Sequence, residues 1–339
     1  MPFELIPPGT HIDFLSRRRI CAVISITLLL AGALAVAIKG VRLGIDFAGG
    51  TEVQIRFAEG VEVDEGGIRT VALVCGVESA DIVRYGDAVD SEYLLRFLMA
   101  EDRPAGDASE CPLEAEDLAR LAASAEAQGG DGGSAEVVDR LSMALGNAVG
   151  EHVVQRVEFV GPKVGSELRA DGLNAMLLAC VLILIYVGFR FSVRFAPGAV
   201  VALVHDVGIT AGLFVIFGME FDLRVLAALL AILGYSLNDT IVIYDRIREN
   251  SEARTKFDLE DVLNRSVNQT LSRTVLTSGT TLVAVLCLLF LGGEVLRPFA
   301  IAMVIGVVVG TYSSVFIAAP TLLWLETRMN ARSDGKARA

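Results

Sequence analysis

Charge is scarce in this sequence. Only 21% of its 339 residues are Asp, Glu, Lys or Arg, against roughly a quarter in an ordinary soluble domain. The chain is 53% hydrophobic, with a mean hydropathy of +0.56, too apolar for such a domain. Basic charge is the scarcer sign: 29 Lys and Arg stand against 41 Asp and Glu, a net of −12. That deficit argues against a nucleic-acid partner, because a phosphate backbone must be neutralised by Lys and Arg. Histidine is nearly absent, with three residues and no H-E-x-x-H, so a zinc hydrolase site lacks ligands. There is no C-x-x-C. Cys21, Cys180 and Cys287 fall inside apolar runs, while Cys75 and Cys111 could pair without anything requiring it. No metal, cofactor or enzymatic centre is expected from these residues.

Long apolar runs are plentiful. About 20 apolar residues cross a bilayer's hydrocarbon core, and residues 20–38, behind Arg17, Arg18 and Arg19, are long enough. Lys39, Gly40, Val41 and Arg42 do not form a small-x-small cleavage site, so the run reads as a retained helix rather than a signal peptide. Five more spans crowd into 172–324: Gly172–Phe189, Phe195–Gly218, Leu223–Tyr244, Val275–Leu291 and Pro298–Trp324. An even number puts both termini, 1–19 and 325–339, on one side. The basic clusters Arg17 to Arg19, Arg190 with Arg194, Arg246 with Arg248, and Arg328, Arg332, Lys336 and Arg338 share that side, which makes it cytoplasmic.

Segment 39–171 is then outside. It holds 12 Lys and Arg against 26 Asp and Glu, a net of −14. It is long enough to fold alone. Thr51–Phe57 alternates like a strand, Glu65–Cys75 is a helix candidate ending at Gly76, and Asp81–Tyr85 and Glu92–Met99 flank a Gly86-Asp87 turn. Glu136–Val149 has helical spacing and Val153–Val160 is a last strand. The order β-α-β-β-α-β predicts a ferredoxin-like α+β domain. Residues 101–135, rich in Ala, Gly, Asp and Glu, read as an insertion with one short helix over 114–128 and a flexible linker.

Ionisable groups inside spans cost about 2.5–3.5 kcal/mol each on insertion scales and are functional candidates by default. The third span carries His205 and Asp206, and the fourth carries Tyr235, Ser236, Asn238, Asp239 and Thr240. The fifth is entered by Ser272, Arg273 and Thr274 and continues with Thr277, Ser278, Thr280 and Thr281. Helical spacing puts Tyr235, Ser236 and Asp239 on one stripe, and Arg273, Thr277, Thr280 and Thr281 on another. A buried carboxylate seeks a cation, and Arg273 is the candidate nearest in depth. An Asp whose proton affinity changes as an Arg approaches or retreats is a proton relay. Structural alternatives stand beside this: Asp239 pairing with Arg246, Arg273 as an interfacial anchor, and His205-Asp206 as a helix-joining pair. Two intramembrane aspartates, Asp206 and Asp239, could also suggest an aspartyl protease, but neither lies in a G-x-G-D context and Arg273 would spoil a shared proton. Asp245 to Glu249 reads as a charged cap at the inner surface, and the span glycines as sites of close helix packing.

Several stretches carry a family resemblance. Leu43-Gly44-Ile45-Asp46-Phe47-Ala48-Gly49-Gly50-Thr51, just after the first span, resembles the GIDFxGGT signature of the SecD/SecF translocase family. Gly234-Tyr235-Ser236-Leu237-Asn238-Asp239-Thr240 continuing to Asn250, Asn264 to Thr274 followed by Thr277-Ser278, and His205-Asp206 resemble its SecF branch. The resemblance covers nearly the whole chain. It implies a polytopic helical membrane protein of six transmembrane helices, half of an arrangement of the resistance-nodulation-division (RND) superfamily, in the bacterial cytoplasmic (inner) membrane. It implies SecD as partner, association with the SecYEG channel and with YajC and YidC, and contact with lipid and an unfolded translocating polypeptide. It implies that the proton-motive force drives late stages of protein export, with the proton as coupling ion and no cofactor. Asp239 and Arg273 take the family's proton-relay roles, a third carboxylate belonging to SecD. His205, Asp206, Tyr235, Ser236, Asn238, Thr240 and Thr277 are the supporting polar set, and Gly44, Asp46, Gly49 and Gly50 the motif and hinge. Two features depart from the pattern: the 101–135 insertion, and Ala231 where the family often has Thr. A small-molecule RND-type exporter is the alternative, disfavoured by the short outer domain and the single half.

Overall fold

A computed structural model describes residues 10–58, 60–61, 63–77, 80–85, 91–97, 111–113, 117, 133–191, 195–253 and 258–337. Arg194, Arg338, the Gly86-Asp87 turn, Leu98 and Met99, and most of the 101–135 insertion with its 114–128 helix lie outside those residues. The chain divides into two compact units, one of residues 1–42 and 171–339 and one of residues 43–170.

In the 43–170 unit the order is α2 (Ile45–Ala48), β1 (Gly50–Phe57), α3 (Glu65–Val74), β2 (Asp81–Tyr85), β3 (Glu92–Phe97), α4 (Gly133–Ala148) and β4 (His152–Val160). The sheet is antiparallel throughout, in the order β2-β3-β1-β4. With a helix after the first strand and another after the third, that is the ferredoxin-like split β-α-β arrangement. Alternation sets the faces: Val53, Ile55 and Phe57 of β1 point inward onto Ile68 and Ala72 of α3 and Leu141 and Leu145 of α4. Residues between them carry polar pairs on the other face, Glu52 with Arg96 at 2.5 Å and Arg56 with Glu92. Cys75 and Cys111 form a disulfide against this core. The pairing left open by the sequence is settled by burial: both cysteines lie in the same apolar cluster.

The motif glycines have a backbone reason. Gly49 (φ +77°) and Gly50 (φ +130°) occupy a region other residues rarely adopt. A Cβ on Gly49 would lie 2.7 Å from the Cα of Pro162, at the start of α5 (Pro162–Arg190). A Cβ on Gly165 would lie 2.9 Å from the Gly49 nitrogen. Gly44 begins the α2 turn as its N-cap, and Asp46 sits in its first turn.

The second unit contains α1 (Arg18–Lys39), entered by a 3-10 turn (Leu15–Arg17), most of α5, then α6 (Ala196–Ile216), α7 (Leu223–Ala253), α8 (Leu259–Leu291), α9 (Gly293–Ser313), a π turn (Ser314–Ala318) and α10 (Ala319–Ala337). Among the described residues six helical stretches are long and apolar enough to cross a membrane: Leu15–Lys39, Pro162–Arg190, Ala196–Ile216, Leu223–Glu252, Leu259–Leu291 and Gly293–Met329. Several begin well before the apolar run that betrays them. α8 starts at Leu259 rather than Val275: its first four turns are amphipathic, with Val262, Leu263, Ser266, Val267 and Thr270 buried and Glu260 and Asp261 in the first turn. α5 starts at Pro162, a residue suited to an opening turn.

Small residues bring the helices together. A Cβ on Gly32 of α1 would lie 2.8 Å from the Cα of Gly212 on α6, a backbone-to-backbone crossing. Gly306 and Gly310, four apart on α9, lie against Ile232 and Ser236 of α7. α6, α7 and α9 carry many buried residues, whereas α1 and α5 expose most of their apolar surface, as with Leu30, Leu177 and Phe189.

Candidate functional site

Among the described residues of this unit, two buried carboxylates, Asp206 and Asp239, lie inside its spanning helices, and a third, Asp222, just precedes α7. Asp239 of α7 is 7% exposed. Its Oδ1 accepts a hydrogen bond from Thr274 Oγ1 of α8 at 2.7 Å, and its Oδ2 accepts one from Ser314 Oγ at 2.9 Å. Asp206 of α6 is fully buried. Its Oδ2 accepts from Ser313 Oγ at 2.7 Å and from Ser236 Oγ of α7, and its Oδ1 faces His205 Nδ1 at 2.8 Å. Neighbouring serines, Ser313 and Ser314, thus each donate to a different aspartate. They sit where α9 passes into the π turn, which holds one more residue per turn than an α-helix and is often found at functional positions.

The sequence placed Arg273 opposite Asp239. Arg273 lies close enough for its charge to act on that carboxylate, yet among the described residues no ion pair joins them, and its side chain is exposed. Successive helical residues point about 100° apart. Thr274 faces α7 and is buried, whereas Arg273, one residue earlier, is exposed. Arg246, the structural alternative, pairs with Glu249 at 2.8 Å instead. The inner cap expected over Asp245 to Glu249 includes that pair and loose pairings of Asp245 with Arg190 and Arg248 at 3.7 and 3.8 Å.

Of the supporting set, His205, Asp206, Ser236 and Thr240 are buried; the Thr240 hydroxyl donates to the Ser236 carbonyl at 3.2 Å. Tyr235 is half-buried, and its enclosed hydroxyl meets no hydrogen-bond partner among the described residues. Asn238 is exposed and Thr277 half-buried. Asp206 and Asp239 share no hydrogen bond among the described residues, and each has its own donors, so the shared-proton pair of an aspartyl protease is not formed. Sequence reasoning overlooked Thr274 as the donor, Ser313 and Ser314, and on α1 and α9 Ser25 and Tyr312. The signal for Thr274 was present, since it lies one residue from Arg273 in the same motif. Ser313 and Ser314 were signalled too, as the end of the hydroxyl run Thr311-Tyr312-Ser313-Ser314 inside the last span.

A family model described as protein export membrane protein SecD/SecF, C-terminal, matches residues 141–328. A second, for the SecD/SecF GG motif, matches residues 34–61. The protein translocase subunit SecF of Calditerrivibrio nitroreducens is 40% identical over 317 residues, covering 93% of this chain and 94% of that protein. The SecF of Pseudomonas aeruginosa is 41% identical over 314 residues, covering 93% and 91%. The chain belongs to the SecF family. In this SecF-family chain the first match spans every intramembrane polar residue named above except Ser25, and the second spans Gly44, Asp46, Gly49 and Gly50. The crystal structure of SecDF from Thermus thermophilus, named there as a translocon-associated membrane protein, aligns with a TM-score of 0.74 at 36% identity. It covers 96% of this chain, which spans only 40% of that solved chain. A super-membrane-facing form of SecDF aligns at 0.64 and 34% identity.

Proposed function

We propose that this chain is an accessory subunit of a bacterial Sec translocase that works with a SecD-type partner and draws on the proton-motive force to drive late protein export. SecF naming and the SecDF likeness support the export role and the partner. The single observation carrying the proton reading is the Asp239 carboxylate, enclosed among spanning helices, held by two hydroxyls, with the exposed Arg273 near enough for its charge to reach it. RND transporters are built from two related halves with the ion site between them. This chain has the membrane content of one half. The outward face of α8, with Arg273 and exposed Thr280, is where the second half and its carboxylate would dock.

The location follows as a proposal too: a bacterial inner membrane, with both termini cytoplasmic under the basic clusters and residues 43–170 outside. The Cys75–Cys111 disulfide supports that side, because disulfides persist in oxidising compartments. SecYEG, YajC, YidC and an unfolded polypeptide are the wider partners of this reading, the proton is its only coupling species, and no bond-breaking chemistry is assigned. A potential of 100 mV supplies about 2.3 kcal/mol per charge crossing, enough to bias a two-state rearrangement. The test is proton-dependent export by Asp239→Asn and Arg273→Met. Each should abolish the enhancement while the complex still co-purifies. Full enhancement in either assembled variant refutes the relay, and resistance to toxic compounds lost in place of export would favour the small-molecule exporter.

A further inference from the structure

His205 and Asp206 belong to a hydrogen-bond chain whose hydrogens can be counted. Asp206 Oδ1 meets His205 Nδ1 at 2.8 Å, and His205 Nε2 meets Ser25 Oγ of α1 at 2.9 Å. Ser25 Oγ meets the Tyr312 hydroxyl of α9 at 3.1 Å, and that hydroxyl reaches the Cys21 carbonyl of α1 at 2.8 Å. Four contacts need four hydrogens. Ser25 and Tyr312 supply one each, and the carbonyl none. The remaining two must come from the His205–Asp206 pair.

We propose that His205 and Asp206 form a proton-storing pair of zero net charge, whose second proton is held by the chain through Ser25 and Tyr312 to the Cys21 carbonyl. The pair is either imidazolium with carboxylate or imidazole with carboxylic acid. In both, Nε2 bears a hydrogen and donates to Ser25, Ser25 donates to Tyr312, and Tyr312 donates to the carbonyl. Neutrality suits the place, because Asp206 is fully buried and His205 is 4% exposed, and a lone buried charge is expensive. When the second proton leaves to water, Ser25 must turn to donate to Nε2. Tyr312 then has one hydrogen for two acceptors, and one contact between α1 and α9 is lost. Proton occupancy is thereby linked to how α1, α6 and α9 are tied. The titratable groups facing the pair are Cys21 of α1, Tyr312 of α9 and, beyond Ser313 and Ser314, Asp239 of α7, with Arg273 of α8 acting on Asp239. The π turn and the start of α10, Ser314 to Leu325, hold no ionisable residue.

The inference does not depend on the export reading and can be tested apart from it. The full chain, labelled with 15N-histidine and held with its SecD-type partner in lipid bilayers, is observed by solid-state NMR. The sequence has three histidines, and His205→Gln identifies the signal. Nε2 of His205 should carry a hydrogen and donate it to Ser25. Tyr312→Phe takes away the acceptor of the Ser25 hydrogen and should lower the ratio of hydrogen-bearing to bare Nε2 about tenfold under the same conditions. Tyr186→Phe, on the exposed face of α5, should leave that ratio unchanged. A bare Nε2 beside a protonated Nδ1 in the unaltered protein overturns the proposal, as does an unmoved ratio in Tyr312→Phe.

Discussion

Among the described residues Asp239 has no cation within bonding distance, and Thr274 and Ser314 take that place. Each hydroxyl donates to a different carboxylate oxygen, so losing either leaves a buried acceptor uncovered, at a cost of about 1–3 kcal/mol. Thr274→Val keeps the shape and removes the donor. It should lower the thermal unfolding midpoint of the purified protein with helix content unchanged, whereas Thr280→Val, on the exposed face of the same helix, should not. The residue types were legible in the sequence, since an Asp in an apolar run and an Arg at the mouth of another are rare enough to stand out. The partner was not. Depth along two helices can be estimated from the sequence, but rotation cannot be fixed to one residue, and one residue separates Arg273 from Thr274.

Helices are joined here by two devices. The first is the Gly32–Gly212 crossing, where backbones touch. Gly212→Leu would force α1 and α6 apart and should cost about 1–3 kcal/mol, read as a lower melting temperature. The second is a clamp at the N-terminal end of α8. Asn264 Oδ1 accepts the Phe14 and Leu15 amides at 3.0 and 3.1 Å, and Asn268 holds both the amide and the carbonyl of Ile12 at 2.8 Å. Asp13 completes it by accepting from Asn264 Nδ2 at 2.9 Å. The Ser16 backbone amide and Asn264 hold the Asp13 carboxyl below the usual carboxylate range. A depressed value contributes stability above the ordinary carboxylate pKa and loses it as pH falls through the lowered one. The Asn264 side-chain amide signal should therefore hold steady through neutral pH and move only in acid, and Asn264→Ala should free the Phe14 and Leu15 amides to exchange. The span glycines were legible as packing sites, though which of them meet was not, and the clamp was not legible at all. The clamp lies in the amphipathic turns before Val275, which hydropathy alone discards.

Across the whole molecule, the 43–170 unit was the most legible part. β-strand alternation and the order β-α-β-β-α-β pointed to the ferredoxin-like arrangement without any contact being known, because one buried face leaves few ways to pack four strands and two helices. The disulfide was not legible, since its cysteines lie 36 residues apart with an insertion between them. Closing a loop of that length should contribute about 3–4 kcal/mol. Reduction, or Cys75→Ser, should lower the unfolding midpoint of the 43–170 unit while leaving the helical signal of the membrane unit in place, measured by calorimetry of the full chain.

The last transmembrane stretch, legible in the sequence only as an apolar span over 298–324, is two helices with a π turn between them. That turn carries a spare residue. Were it to tighten into an ordinary helical turn, everything after it would screw round by about 100°. Ser314 would swing off Asp239 while Ser313, before the joint, kept its grip on Asp206. A short rotation near the end of the chain would then uncover one acid and spare the other, as a camshaft lifts one valve of a pair.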